Sequence, residues 1–326
     1  MSGDRIRGDR IRGAVIGLAV GDAAGWPASR HRAALHAPWS RRLHRELDAF
    51  AEEHRVTTLP VPFALNQPTA PLAAGPSDDA EWLAWTLLTA DRPRAAAFRE
   101  LAGQDVRARI SVRTALDNLA RGVEPPASGH DNPHHFDDAA AVRAVAFGVL
   151  GRDPEDDALV TNAGDGVLGA RAMAAAVAAA VAGGDVTRAV AAALEHLPAD
   201  TAIGHNARAA LSAAERAGDA FAAVPALDAA LLDHVYSYGV GAAQTVPAAL
   251  ALAVAAGGDL TRAVPAAACL AALADSAPAL TGALTGACGG FEAIPEGWTA
   301  SARTLAGCCL PHLAGQDLID LTEERA

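Results

Sequence analysis

The chain has 326 residues and a formal net charge of -12, with 26 basic residues against 38 acidic ones. The sequence contains no lysine, which excludes Schiff-base chemistry and a Walker-type phosphate-binding loop. So acidic a chain is also a poor general nucleic-acid binder, because neutralising phosphates needs basic surface.

The predicted elements are helical almost throughout. Hydrophobic residues make up 51% of the chain but aromatic residues only 4%, so the apolar content is mostly alanine, leucine and valine, and alanine is the best helix former. No alternating β-branched run is long enough to support a sheet. In chain order, the apolar periodicity predicts helices over 11–24, 41–54, 77–90, 94–120, 137–150, 162–183, 186–197, 205–217, 224–237, 242–256, 260–274 and 277–289.

These helices predict one all-α domain over residues 11–315, with a flexible tail at 1–10 and a C-terminal tail at 316–326. Glycines notch the first helix at Gly13, Gly17 and Gly21, so another backbone is expected to approach it closely. The charged N-terminal sequence lacks the apolar core of a signal peptide, and the most apolar stretch is rich in alanine and glycine. We therefore expect a cytoplasmic protein that binds neither nucleic acid nor membrane.

An oxygen-rich triplet, Ser77-Asp78-Asp79, stands at the start of the helix predicted over 77–90. Such oxygens are the ligands that Mg²⁺ prefers, so three adjacent ones indicate a metal site. An ordinary N-cap, with acids that complement the helix dipole, explains the same pattern. Both interpretations stay open at this point.

Two further acids lie far from the triplet in sequence. Asp275, followed by Ser276, stands in an otherwise uncharged stretch over 263–290, where a buried carboxylate has to be paired, hydrogen-bonded or metal-bound. A cap for the helix that starts at Ala277 is the alternative. Asp22 ends the first helix, where the dipole disfavours an anion, and a solvated acid is its alternative.

A phosphorylated substrate would need donors, and arginines or glycine-rich loops are the available choices. Arg143 is one candidate, with a surface ion pair to Asp137 or Asp138 as the alternative. The Pro/Gly-rich loop over 122–132 offers further candidates, namely Ser128, Gly129 and Asn132. The histidines follow no zinc-binding pattern.

Four motifs, taken in order, resemble the signatures of the ADP-ribosylglycohydrolase family. The first is GAVIGLAVGDAAGWP at 13–27, and the second is Ser77-Asp78-Asp79-Ala80, where the family has Thr-Asp-Asp-Thr. The third is TNAGDGVLGA at 161–170, and the fourth spans 257–298 with the spacing of the C-terminal signature. The resemblance covers residues 11–312.

The resemblance implies an all-helical fold with two magnesium ions in a cleft. Because Leu273 stands where the family has a metal-binding aspartate, we expect one firmly bound Mg²⁺ in this chain, replaceable by Mn²⁺, and the second ion stays open. Such enzymes cleave the bond between ADP-ribose C1″ and a protein side chain or small acceptor. The implied metal ligands are Ser77, Asp78, Asp79, Asp275 and Ser276, and the catalytic candidates are Asp78, Asp79 and Glu81. The candidate substrate-binding residues are Asp22, Ser128, Gly129, Asn132, Asn162, Gly164, Asp165 and Gly166.

The chain departs from the family pattern at chemically important positions. Leu273 replaces the first aspartate of the C-terminal signature, Ser29 replaces a glutamate after the first signature, and Asn162 replaces a histidine. Glu81 is the candidate substitute for the missing glutamate. Three alternatives stay open: an atypical magnesium-dependent glycohydrolase, an ADP-ribose- or nucleotide-binding or regulatory protein without turnover, and a tailoring enzyme of altered chemistry on NAD-derived small molecules.

Overall fold

The structure is a computed structural model that describes residues 3–25, 75–232 and 239–323. Its α-helices, numbered here in chain order, are α1 (Gly3–Gly25), α2 (Asp78–Thr89), α3 (Arg94–Arg99), α4 (Ile110–Ala120), α5 (Ala127–His130), α6 (Ala139–Leu150), α7 (Glu155–Thr161), α8 (Asp165–Val181), α9 (Val186–Leu194), α10 (Ala202–Ala217), α11 (Ala220–Leu231), α12 (Ala242–Ala255), α13 (Leu260–Ala268), α14 (Ala277–Gly289), α15 (Glu296–Ala302) and α16 (Leu318–Glu323). Short 3-10 turns lie at Ala271–Leu273, Phe291–Ala293 and Pro311–Leu313.

The predicted all-α class is confirmed, since the described ranges contain two isolated β-bridges and no strand. Two predicted helices differ from the observed ones, the first by a break and the second by a later start. The helix expected over 94–120 breaks into α3 and α4, where Gly103 takes a φ of +83°. The helix expected over 162–183 is preceded by α7 and begins only after Gly164, whose φ is +54°. The predicted helix over 41–54 lies outside the described residues.

Helices lie in the described parts of both segments that the sequence predicts as tails. Helix α1 begins at Gly3, inside the segment predicted as a flexible tail over 1–10. Helix α16 falls inside the predicted tail over 316–326, and it buries Leu318 and Leu321. A short helix with only two apolar anchors has too little periodicity to be found from the sequence. No helix in the described part of the chain is long and apolar enough to span a membrane.

Helix α1 is buried from Gly13 onward and packs antiparallel against α14 with almost no space between the backbones. A Cβ added at Gly17 would lie 2.1 Å from the carbonyl oxygen of Gly282, and one at Gly21 would lie 1.9 Å from that of Pro278. The predicted close approach is therefore confirmed. It brings the C-terminal end of α1, which carries Asp22, beside the start of α14.

The remaining packing brings further helix starts to the same region. Helix α6 packs against α8 and α2, and α2 also contacts α1. The residues before α6 are tied to those before α12, because the Asp138 N–H donates to the Val240 carbonyl at 2.9 Å and the Ala242 N–H donates to the Phe136 carbonyl at 3.0 Å. The starts of α2, α6 and α14 therefore surround one point, described next.

Candidate active site

The start of α2 is capped by a side chain from α1. The carboxylate of Asp22 accepts hydrogen bonds from the backbone N–H groups of Ser77 at 2.7 Å and Ala80 at 3.1 Å. The Ser77 hydroxyl also donates to Asp22, at 2.7 Å, and caps no amide of its own helix. The N-cap interpretation is therefore wrong for Ser77. Asp22 is not a solvated acid, because it is buried and caps α2 through these bonds, whereas its contact with a substrate stays a prediction.

Four predicted metal ligands converge on one atom, Nη2 of Arg109. This nitrogen lies 2.8 Å from Asp79 Oδ1, 3.8 Å from Asp78 Oδ2 and 3.8 Å from Asp275 Oδ2, and it donates to the Ser276 hydroxyl. The structure thus brings together residues separated by almost two hundred positions in the sequence. We call the four ligands and Arg109, together with Ser77 and Asp138, the acidic cluster.

Ser77 and Asp138 complete the acidic cluster from either side. The Ser77 hydroxyl oxygen lies 3.1 Å from Asp78 Oδ1. Asp138, directly before α6, accepts a hydrogen bond from Nη1 of Arg109. Asp138 was not predicted as a site residue, although an acid pair before an apolar helix repeats the pattern of the 77–79 triplet. No local signal marks Arg109 among the arginines of the chain.

Most of the cluster is shielded from solvent. Ser77, Asp78, Asp79, Asp138 and Ser276 are buried. The Arg109 side chain is 7% exposed, whereas the Asp275 side chain is 27% exposed. The open side of the cluster therefore lies at Asp275.

Burial and mutual repulsion change the acidity of the cluster. Burial raises the pKa of Asp79 well above its ordinary value, Arg109 opposes this shift, and Asp78, Asp22 and Asp138 add to it. Burial likewise raises the pKa of Asp138 to about 7, against the opposing charge of Arg109. Among the described residues of the cluster, the carboxylates of Asp78, Asp79, Asp138 and Asp275 therefore outnumber the guanidinium of Arg109.

The donor set of the cluster fits a hard cation. Asp79 Oδ2 and Asp138 Oδ2 are buried and have no hydrogen-bond partner among the residues that the structure describes. Carboxylate and hydroxyl oxygens of this kind suit Mg²⁺. Leu273 contributes no ligand, because its hydrocarbon side chain is buried in an apolar cluster with Leu270 and Ala277.

Glu81 has a structural role that differs from the predicted catalytic one. Its carboxylate accepts three backbone hydrogen bonds, from Cys308 at 2.7 Å, Cys309 at 2.8 Å and Leu310 at 2.8 Å. The side chain is fully buried. Both oxygens thus hold the 308–310 segment against α2, and the catalytic role of Glu81 stays a prediction.

Three predicted substrate-binding side chains are also used internally. Asn162 donates to the Asp137 carboxylate and carbonyl, both at 2.9 Å. Ser128 donates to the Val160 carbonyl at 2.9 Å, and Asn132 donates to the Ser111 carbonyl at 2.7 Å. All three side chains are buried. These bonds hold the loops around the cluster, and contact of the three side chains with a substrate stays a prediction.

The predicted glycines divide into packing and surface positions. A Cβ at Gly129 would lie 2.6 Å from the Leu159 carbonyl, and one at Gly166 would lie 2.6 Å from the His135 carbonyl, so both glycines allow close packing. Gly164 is exposed and lines a cavity of about 740 Å³. Asp165, next to it, accepts a hydrogen bond from the Ile203 N–H at 3.5 Å, and burial raises its pKa.

Arg143 is neither a phosphate ligand nor a surface ion-pair partner of Asp137 or Asp138. It is fully buried, and it donates to Asp157 at 2.8 Å and to the Thr161 hydroxyl at 2.6 Å. Both sequence interpretations are wrong, because the helical period places Arg143 on the inner face of α6.

The comparisons with known proteins agree with this architecture. The family model described as ADP-ribosylglycohydrolase matches residues 2–326. A solved structure titled "ADP-ribosylglycohydrolase-related protein complex" superposes with a TM-score of 0.62 at 18% sequence identity, covering 99% of this chain and 100% of that chain. A search of curated protein sequences found no match.

Proposed function

Because the chain belongs to the ADP-ribosylglycohydrolase family, we propose that it hydrolyses the glycosidic bond of an ADP-ribosylated or ADP-ribose-like compound at the acidic cluster. One observation carries this proposal. Side-chain oxygens of four predicted metal ligands all lie within 3.8 Å of one atom, Nη2 of Arg109, and these ligands are Asp78, Asp79, Asp275 and Ser276. Family membership supports a hydrolase of glycosidic bonds, and the cluster supplies a place for the reaction.

We propose a magnesium ion, replaceable by Mn²⁺, as the cofactor of this reaction. The residues that would hold it are Ser77, Asp78, Asp79, Asp275 and Ser276. When bound, such an ion supplies a Lewis acid that orients a ribose diol and stabilises charge in an oxocarbenium-like transition state. The buried oxygen of Asp79 without a hydrogen-bond partner supports this assignment.

The residues of the chain supply the remaining chemistry in this proposal. Asp275 lies at the open side of the cluster, so the sugar would enter there. In its ionised form, Asp79 would take up the proton of the attacking water, because burial raises the pKa of this carboxyl group and a carboxylate of higher pKa is a stronger base. The buried residues around it exclude bulk water and so strengthen the electrostatic interactions in the site.

Substitution of the cluster tests the proposal directly. We expect Asp78→Asn and Asp275→Asn each to lower the release of ADP-ribose from an ADP-ribosylated protein by at least about a hundredfold in the presence of Mg²⁺. Asp117→Asn, a matched change at an exposed position, should leave turnover unchanged. Full turnover by both cluster variants, with the fold intact by circular dichroism, would contradict the proposal.

A second candidate function is an ADP-ribose-binding protein without turnover. Leu273 and Arg109 favour it, because the first removes a possible ligand and the second places a guanidinium among the remaining ones. This candidate predicts saturable binding of ADP-ribose with no product at any concentration of Mg²⁺ or Mn²⁺. Multiple turnover by the wild-type protein would eliminate it.

A further inference from the structure

The centre of the acidic cluster is filled by a positive charge that belongs to the chain itself. We propose that Arg109 is a built-in cation of the cluster and competes with divalent metal for the point at which the carboxylates converge. This inference rests on the proposed function only in assigning the same cluster as the metal site.

The contacts of Arg109 resemble those of a coordinated cation. One terminal nitrogen, Nη2, is hydrogen-bonded to Asp79 and Ser276 and lies 3.8 Å from both Asp78 and Asp275. The other, Nη1, is paired with Asp138 on a different helix. The planar guanidinium therefore bridges the starts of α2, α6 and α14 at once, which a lysine ammonium is too compact to do.

The guanidinium charge is permanent. Arginine is not deprotonated in proteins, so the charge does not leave the cluster by titration. The side chain is 7% exposed, which makes its ion pairs less screened than surface pairs. Among the described residues, Arg109 is the charge that pairs with both Asp79 and Asp138.

A metal ion and Nη2 of Arg109 exclude each other at this point. Mg²⁺ binds its oxygen ligands at about 2.1 Å and requires them to surround it. The nitrogen already lies 2.8 Å from Asp79 Oδ1, within the space that such an ion needs. Metal binding therefore requires the Arg109 side chain to withdraw.

Withdrawal is compatible with the position of Arg109 in the fold. Arg109 is the last residue before α4, and the segment from 103 to 109 that precedes it is not helical. Two buried oxygens, Asp79 Oδ2 and Asp138 Oδ2, have no hydrogen-bond partner among the described residues even with the guanidinium in place. The guanidinium thus leaves two buried carboxylate oxygens without a hydrogen bond from a described residue, and a divalent ion could bind to them.

The test is a calorimetric titration of chelator-treated full-length protein with Mn²⁺ and with Mg²⁺. Removing a positive charge a few ångströms from a divalent ion should tighten its binding, so we expect Arg109→Gln to bind Mn²⁺ at least about tenfold more tightly than the wild type. Arg109→Lys keeps the charge, and its affinity for Mn²⁺ should lie between those of the wild type and Arg109→Gln. The control is Arg113→Gln in the first turn of α4. The Arg113 guanidinium donates to the Val106 carbonyl at 3.0 Å, so this variant should match the wild type.

A second measurement uses the wild-type protein alone and is independent of how the variants fold. If Mn²⁺ displaces Arg109, backbone amides of residues 105–110 should exchange hydrogen faster when the protein is saturated with Mn²⁺. Unchanged or slower exchange there would overturn the inference. Equal Mn²⁺ affinities of the wild type and Arg109→Gln, or no binding by either, would also overturn it.

These outcomes are distinguishable from failure of the proposed function. Equal affinities would remove the competition but leave the metal-dependent hydrolase intact. Turnover of an ADP-ribosylated protein, assayed on the wild type with Mg²⁺ and with a chelator, tests the hydrolase separately. Tighter binding by Arg109→Gln without any turnover by the wild type would support the inference and contradict the hydrolase.

Discussion

At the scale of single residues, several side chains do something other than their sequence context indicates. Asp22 looks like an unfavourable acid at a helix C-terminus, yet it caps a second helix through Ser77 and Ala80. Glu81 looks like a spare acid beside the triplet, yet it binds three amides that come from the far end of the chain. Such partners are fixed by tertiary contacts, so no spacing rule along the chain predicts them.

The role assigned to Glu81 predicts a loss of stability. The Glu81 carboxylate accepts three charge-assisted hydrogen bonds from buried backbone N–H groups. Glutamine has one carbonyl oxygen and one NH₂ group, so its NH₂ group would face a backbone N–H and leave that N–H without an acceptor. We expect Glu81→Gln to lower the free energy of unfolding by about 3 kcal/mol in urea denaturation. Glu215→Gln, an exposed substitution, should change stability little. An equally stable Glu81→Gln variant would contradict this structural role, and loss of turnover by such a variant would support the catalytic one.

At the scale of elements, the contact between α1 and α14 places the acidic cluster. The glycine spacing in the sequence predicted that a backbone would approach α1. Helix α14 makes this approach through two glycines, with Gly282 against Gly17 and Gly286 against Gly13. The identity of the partner helix was not predictable, because several helices of the chain are rich in glycine and alanine. The cluster depends on that contact, since α1 carries Asp22 and α14 follows Asp275.

Enlarging one glycine in this contact should destabilise the whole protein. A methyl group at Gly17 would lie 2.1 Å from the Gly282 carbonyl oxygen, and neither backbone can yield without moving its helix. We expect Gly17→Ala to lower the free energy of unfolding by about 3 kcal/mol. Gly3→Ala, in the same helix but with no atom within 4 Å of the added methyl, should be neutral or slightly stabilising. Equal stabilities of the two variants would show that α1 and α14 do not pack this closely.

At the scale of the whole molecule, the packing of the helices brings several buried carboxylates into one cluster. The sequence was sufficient for the all-α class, for most helix positions and for five members of the cluster, because apolar periodicity and oxygen-rich triplets are local signals. Asp138 and Arg109 were missed because their importance arises only when α4 and α6 meet α2. The internal hydrogen bonds of Ser128, Asn132 and Asn162 were not predictable, because a polar loop residue can bond to the protein or to a ligand with the same groups.

The charge excess predicts an unusual dependence of stability on pH for the metal-free protein. Burial raises the pKa of Asp138 to about 7, so between about pH 4 and pH 7 the folded protein holds a proton there that the unfolded chain has released. Stability is therefore lost as the pH rises through this window. We expect the free energy of unfolding to fall by about 2 kcal/mol from about pH 5 to about pH 8.

Chelator-treated protein and its Asp138→Asn variant, unfolded in urea across this range, provide the check. The variant lacks the titrating group and should show a flatter profile, whereas the exposed change Asp117→Asn should follow the wild type. A wild-type stability that rises from pH 5 to pH 8 would mean that Asp138 is ionised in the folded state throughout.

The central claim is that the acidic cluster binds a divalent cation together with an ADP-ribose-like ligand. The most direct measurement is a calorimetric titration of chelator-treated wild-type protein with Mg²⁺ and Mn²⁺, with and without ADP-ribose. We predict one metal site per chain, weak in the protein alone and strengthened at least about tenfold by ADP-ribose, because the two ligands share the cluster. Absence of metal binding in both conditions would contradict the claim and leave the cluster as a set of buried acids neutralised by Arg109 and by protons.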